Sequence, residues 1–236
     1  PVADKGLSGF YIADSLLFFY GPEGKQLMKS IKHSTIVLSS MLSLVCATSA
    51  IAELSANLGV TSNFVFHGVS QTNGGPALQG GLDYRHSSGM YLGTWASNVD
   101  KANAKGVEAD VYGGVSRKLG DFNYNVGAVT RQFTNSAHKD FNEFYIGGGY
   151  KMLHTTYVLG DGYDYAEIVA DGTLSGIHVN VRAGSKMPDQ GKNILDYGFS
   201  VGKGFAGYDV KAGVATTNVS GAKREFFVAV VKPFDF

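Results

Sequence analysis

Several common stabilisers are scarce in this chain. Of 236 residues only one is Cys, one is Trp and five are Pro. A single Cys excludes an internal disulfide framework. Lys plus Arg number 20 and so do Asp plus Glu, which leaves no net charge and no basic run. A nucleic-acid footprint is therefore not expected. Charged residues make up 17%, below the roughly 25% of an ordinary soluble domain. Several apolar runs of about 20 residues, the mark of a membrane-helix bundle, are missing as well. The chain is rich in Gly (32), Phe (15) and Tyr (13). Aromatics with frequent turn-forming Gly point to many short strands.

Met28 opens a stretch with the three parts of a secretory signal peptide. Lys29 and Lys32 form a positive start, Ile36 to Val45 an apolar middle, and Ala50-Ile51-Ala52 a small-residue cleavage site. Ser34, Ser39, Ser40, Ser43, Thr48 and Ser49 make that stretch too polar for a comfortable helical span. Cys46 follows Val45, where a lipoprotein site would want a small residue. The expected organisation is an upstream extension (1–27), a signal peptide (28–52) and one folded unit (53–236). That unit would keep 28 of the 32 glycines and no Cys. An exported chain without disulfides needs a large core, or a membrane around a closed sheet.

Period-two alternation recurs along residues 53–236. Leu54, Ala56, Leu58 and Val60 oppose Ser55, Asn57, Gly59 and Thr61, and this first strand is read as running on to Phe64 and Phe66. Leu78, Leu82 and Tyr84 oppose Gln79, Asp83 and Arg85. Val107, Ala109, Val111 and Val115 oppose Glu108 and Asp110, while Tyr124, Val126 and Ala128 oppose Asn125 and Arg131. Ile177, Val179 and Val181 oppose His178, Asn180 and Arg182; Tyr197 and Phe199 oppose Asp196 and Ser200; Tyr208 and Val210 oppose Asp209 and Lys211. Turn clusters separate the runs, among them Ser87-Ser88-Gly89, Leu119-Gly120-Asp121, Asp171-Gly172 and Ala206-Gly207.

This predicts an all-β, antiparallel, up-and-down transmembrane barrel. About twelve strands are expected, near 54–66, 77–86, 90–99, 106–117, 121–133, 141–151, 153–159, 163–170, 173–184, 194–203, 206–217 and 224–235, with ten as the alternative even number. Apolar faces of Leu, Val, Ala, Phe and Tyr suit lipid, and polar faces suit a wet interior. Phe64, Phe66, Tyr84, Tyr91, Phe122, Phe133, Phe141, Tyr150 and Phe226 fall near strand ends, where an interfacial girdle would lie. The chain ends in an alternating strand whose Phe234 and Phe236 resemble the assembly signal of bacterial outer-membrane barrels, with Lys232 and Pro233 departing from a clean version.

The stretch Val60-Thr61-Ser62-Asn63-Phe64-Val65-Phe66-His67-Gly68-Val69-Ser70-Gln71-Thr72, with Gly74-Gly75-Pro76-Ala77-Leu78-Gln79-Gly80-Gly81-Leu82-Asp83-Tyr84, resembles the opening of the TorF-type proteobacterial porin family. Tyr91-Leu92-Gly93-Thr94-Trp95-Ala96-Ser97-Asn98-Val99-Asp100 and Val107-Glu108-Ala109-Asp110-Val111-Tyr112-Gly113-Gly114 are similar to the blocks that follow. The likeness is dense over 59–115 and architectural beyond. It implies an outer-membrane barrel and a provisional porin label, for a family long catalogued as of unknown function. It implies no catalytic residues and no defined substrate. The family more often carries Arg where this chain has His67, which is largely neutral near pH 7.

No chemistry-bearing motif stands above its bland reading. Gly202-Lys203-Gly204-Phe205-Ala206-Gly207 fits a dinucleotide pattern, but a strand rather than a helix follows, so a hairpin is expected. His67, His86, His138, His154 and His178 lack metal-ligand spacing. His86 with Ser87 or Ser88 is a conceivable nucleophile pair without a nucleophile elbow. No enzyme activity, metal or cofactor is expected. The informative charges are those of the polar faces: Asp83, Arg85, Glu108, Asp110, Arg131, Glu143, Arg182, Asp196, Asp209 and Lys211. They form either a salt-bridged plug in a narrow barrel or the lining of a small polar channel. Residues 70–76 either fold inward as a constriction or make a surface turn. Expected partners are outer-membrane lipid, the barrel assembly machinery and an unidentified small polar solute. The alternatives are a non-conducting structural or adhesive barrel, and a soluble secreted β-sandwich that binds a ligand. The expected location is the bacterial outer membrane.

Overall fold

A computed structural model describes residues 52–101, 103–135 and 138–236. The extension over 1–27, the signal peptide over 28–52 and Cys46 lie outside the described residues, apart from the start of the first strand at Ala52. Twelve strands close into one antiparallel barrel: β1 (Ala52–Thr61), β4 (Ala77–His86), β5 (Met90–Lys101), β6 (Ala104–Leu119), β7 (Phe122–Phe133), β8 (Phe141–Tyr150), β9 (Leu153–Gly160), β10 (Tyr163–Leu174), β11 (Ile177–Pro188), β12 (Ile194–Phe205), β13 (Tyr208–Thr217) and β14 (Glu225–Asp235). Each pairs with its chain neighbour, and β1 closes the ring by pairing with both β4 and β14, so that Asn57 sits between Gly81 and Pro233. A closed ring leaves no unpaired edge. The soluble β-sandwich is thereby excluded. The expected alternative of ten strands is also set aside.

The barrel is apolar on the outside. Leu58, Leu78, Val181 and Val228 project outward and are about half exposed (53%, 58%, 49% and 51%), whereas Glu108, Arg131, Glu167 and Asp196 point inward and are buried. In water this distribution would forgo most of the hydrophobic driving force; in lipid it is the favourable one. Between the short turns and the longer loops the two barrel ends differ. Tight turns at 87–89, 120–121, 151–152, 175–176 and 206–207 share one end with both chain ends of the barrel. The other end carries residues 62–76, 134–135, 138–140, 189–193 and 218–224, together with the two-residue turn at 161–162. The dinucleotide-like glycine run is a hairpin, with Ala206 and Gly207 both at positive φ (52° and 77°) as a type I′ turn requires.

Three expectations need correction. The first strand stops at Thr61 instead of running to Phe66, and Val65–Phe66 (β2) pairs with Val69–Ser70 (β3) as a separate hairpin inside the barrel. Thr61 ends the strand because its hydroxyl bonds the carbonyl of Asn63 two residues on (2.9 Å), a local turn that competes with the ladder. The turn placed at Asp171-Gly172 lies instead at Ser175 and Gly176, both at positive φ, so β10 runs on to Leu174 and β11 begins later. Finally, Phe64, Phe66, Tyr91, Phe133 and Phe141 do not belong to an outer girdle. Phe64 and Tyr91 are each only 7% exposed, and Phe66 and Phe133 pack with Phe64, Val99 and Trp95 within the barrel. Phe141 faces the Arg131 guanidinium at 5.8 Å. Tyr84, Phe122, Tyr150 and Phe226 keep the outward direction expected of them.

Candidate functional site

The interior is divided lengthwise. On the β5–β9 side it is filled. Tyr91, Tyr112, Val129 and Tyr145 form a buried cluster against Trp95 and Val158. Each inward ring lies over a glycine of the neighbouring strand. A Cβ on Gly127 would stand 2.6 Å from the Tyr145 ring, and one on Gly93 or Gly184 would strike Tyr112 or Tyr165. Glycine thus opens room for tyrosine across the ladder, and the ring in turn shields the bare backbone. The hydroxyls are satisfied: Tyr91 shares a hydrogen bond with Tyr145 (2.8 Å) and donates to Asn125 (2.7 Å).

Two ion clusters complete the filling. Arg131 on β7 meets Asp110 at 2.6 Å, Glu143 at 3.1 Å and Glu108 at 3.3 Å, with all four side chains 6% exposed or less. The Glu108 and Asp110 side chains lie two apart on the inner face of β6, and register places Asp110 opposite Arg131. Tyr163 donates to Glu143. Arg182 on β11 binds Asp196 on β12 and Glu167 on β10, the latter at 3.1 Å. Buried guanidinium groups need such partners, because an unpaired charge at this depth costs several kcal/mol. Each Arg joins carboxylates from different strands and so fastens neighbouring strands together.

All ten charges singled out in the sequence face inward, but their fates differ. Glu108, Asp110, Arg131 and Glu143 form one cluster; Arg182 and Asp196 belong to the other. Asp83 and Arg85 are not paired with each other: Asp83 accepts from the Tyr112 hydroxyl (2.8 Å), and Arg85 lies over the Tyr91 ring at 5.7 Å. Asp209 and Lys211 line the opposite, open side. Glu167 escaped the sequence reading. Its strand presents Tyr163, Tyr165 and Val169 on the same inner face, so polar and apolar residues do not alternate there.

On the side of β1 and β11–β14 the interior holds a cavity of about 180 Å³. Its wall mixes small and polar residues (Asn57, Gly59, Asn180, Ser200 and Lys211) with apolar ones (Val169, Phe227 and Val231), and Trp95 and Tyr112 of the filled side border it. A water needs roughly 10–15 Å³ of such space, so the cavity takes several. It runs from Asp209 and His178 near the short-turn end to Asn63 and Gly68 of the inward segment.

Residues 63–72 fold into the barrel, whereas Asn73, Gly74 and Pro76 of the loop at 70–76 stay exposed, so that loop is inward at its start and a surface turn at its tip. Asn63 anchors the segment, donating to Glu225 (3.0 Å) and accepting from the Ser70 hydroxyl (2.6 Å). Phe64 packs edge-on against Trp95. His67, at φ 46°, is stacked between Phe66 and Tyr165, with both centroids 3.8 Å away. Gly68, at φ +75°, lies so close to β13 that a Cβ would stand 2.5 Å from the Thr216 carbonyl oxygen. The plug therefore touches four strands of the barrel, β5, β10, β13 and β14. Burial holds the His67 imidazole well below its usual range, and the charges of Arg182, Lys186 and Arg131 add to the effect.

His86 and Ser88 do come together, with Nδ1 and Oγ 2.7 Å apart. The pair closes the β4–β5 turn: the Ser88 amide also donates to Nδ1 (3.1 Å). The geometry is that of a turn, and among the described residues no third group hydrogen-bonds the imidazole. No cluster of three metal-ligating side chains occurs among the described residues.

A family model described as "Bacterial protein of unknown function (Gcw_chp)" matches residues 46–228, and the chain belongs to this family. No curated protein matches the chain. Among solved structures the barrel is similar to the KdgM porin in complex with disordered oligogalacturonate (TM-score 0.56, 11% identity) and to the KdgM porin alone (TM-score 0.54, 11% identity). Each alignment covers 78% of this chain and 99% of the other. A third, from work on in-meso crystallization of membrane proteins, aligns with TM-score 0.53 and 9% identity, over 78% of this chain and 84% of that one. At such identities the likeness is one of fold: a twelve-stranded porin-type barrel.

Proposed function

We propose that this member of the family is a passive outer-membrane channel of the TorF type, which lets small polar solutes diffuse and performs no covalent chemistry. One observation carries the reading. Inside a barrel whose outer surface is apolar lies a cavity that Asn57, Asn180, Ser200, Asp209 and Lys211 line together with apolar side chains. Polar groups held inside an apolar shell are what a water path through lipid needs. In this reading the tight-turn end, with both ends of the barrel strands, faces the periplasm, and the long-loop end faces outward. Solutes enter past the inward segment at residues 63–72. Phe234 and Phe236, both outward on or just after β14, serve the assembly machinery when β14 closes on β1. Lys232 suits a rim position, since it donates to the Gly207 carbonyl (3.0 Å) and lies near the Tyr208 and Phe234 rings. Planar-bilayer recording of the refolded barrel tests the proposal.

A second reading, a non-conducting structural barrel, draws on the filled β5–β9 half and on the contact of Gly68 with β13. A bilayer that stays silent through repeated insertions would favour it.

A further inference from the structure

The outer wall carries a concavity that the channel does not use. On the outer face of β9–β13 a groove of about 510 Å³ is bounded by Ile168 on one side and by Tyr197 and Phe199 on the other, each nearly half exposed (48%, 47% and 47%). Register explains it. Ile168 stands beside Ala183, and Ala183 beside Tyr197, so a small side chain lies between large ones. Tyr197 in turn neighbours Thr216, which leads towards the long-loop end. There the groove meets Arg224, exposed and next to Lys223.

We propose that this groove seats an acyl chain of a phosphate-bearing lipid of the outer leaflet, lipid A, with Arg224 engaging the phosphate. The inference rests on the membrane reading and orientation given above. A flexible alkyl chain can follow a concave apolar bed that the convex wall of a second barrel would leave partly empty. Charge complementarity fixes the head. Of the two arginines that line the groove, Arg182 is turned inward to Glu167 and Asp196, and Arg224 is exposed, a guanidinium that binds phosphate bidentately. In the proposed orientation that end lies at the leaflet built from lipid A.

Native mass spectrometry of the folded barrel in detergent micelles, offered lipid A, phosphatidylglycerol or phosphatidylcholine, tests this. Lipid A is expected to be held at least tenfold more tightly than either other lipid. Arg224→Ala should weaken that adduct about tenfold, the loss of one charge-assisted contact. Ala183→Trp should abolish it by filling the groove. Both variants should conduct like the parent, which separates failure of this proposal from failure of the channel. Equal retention of the three lipids, phosphatidylglycerol held as tightly as lipid A, or retention undiminished in either variant would overturn the assignment.

Discussion

The ring of His67 lies on the ring of Tyr165 at 3.8 Å with 11° between their planes, so a residue of the inward segment rests against the β10 wall. This contact has a pH consequence. With the imidazole buried near Arg182, Lys186 and Arg131, the inserted plug holds it neutral, whereas a withdrawn plug lets it take a proton near its ordinary value of 6.5. The withdrawn state therefore binds more protons once the pH falls below about 6.5. It gains up to about 1.4 kcal/mol per pH unit until the depressed value is reached. Unitary conductance should rise or flicker on acidification from pH 7 to 5. His67→Phe, which keeps the stack, should remove the response.

Plug position can also be changed without titration. Gly68 abuts the Thr216 carbonyl oxygen at a φ that L side chains seldom adopt, so Gly68→Val cannot be accommodated in place. Expected is a displaced plug and a larger single-channel current, with the barrel's heat-modifiable gel migration unchanged. An unaltered current would show that residues 62–76 do not limit flow.

Arg131 holds three carboxylates that would otherwise be buried together. Arg131→Met should destabilise the folded barrel by about 3–5 kcal/mol, seen as an earlier midpoint in urea. Adding Glu108→Gln and Asp110→Asn should recover much of the loss, because the excess negative charge then goes. A single variant as stable as the parent would contradict the ion-cluster account.

Gly127 allows the Tyr145 ring to lie flat across β7. Gly127→Ala places a methyl 2.6 Å from that ring and from the Gly113 carbonyl oxygen, and should cost about 1–3 kcal/mol. Adding Tyr145→Leu should relieve part of that cost. Urea unfolding in lipid vesicles reads both.

Much of the architecture was legible because lipid on one side and polar interior on the other impose a strict period of two. Strands such as β4, β11 and β13 show it without interruption, and there the inward charges Asp83, Arg182, Asp209 and Lys211 could be assigned. Where the interior is itself packed with aromatics, the contrast fails. Tyr91, Phe133 and Phe141 read as girdle residues because an inward ring looks, in sequence, like an outward ring near a strand end. Glu167 was lost among Tyr163, Tyr165 and Val169 for the same reason. The plug was not separable from β1, since Phe64 and Phe66 continue the apolar period beyond Thr61. Nor does a sequence tell which carboxylates surround an Arg, because that depends on register between strands. Asp83, two residues from Arg85, chose the Tyr112 hydroxyl.

The central claim is that a polar path crosses this barrel. Recording the refolded protein in planar bilayers tests it most directly. The account predicts discrete, reproducible unitary currents that grow in Gly68→Val. Bilayers that stay silent for both proteins, although each shows heat-modifiable folding, would contradict it.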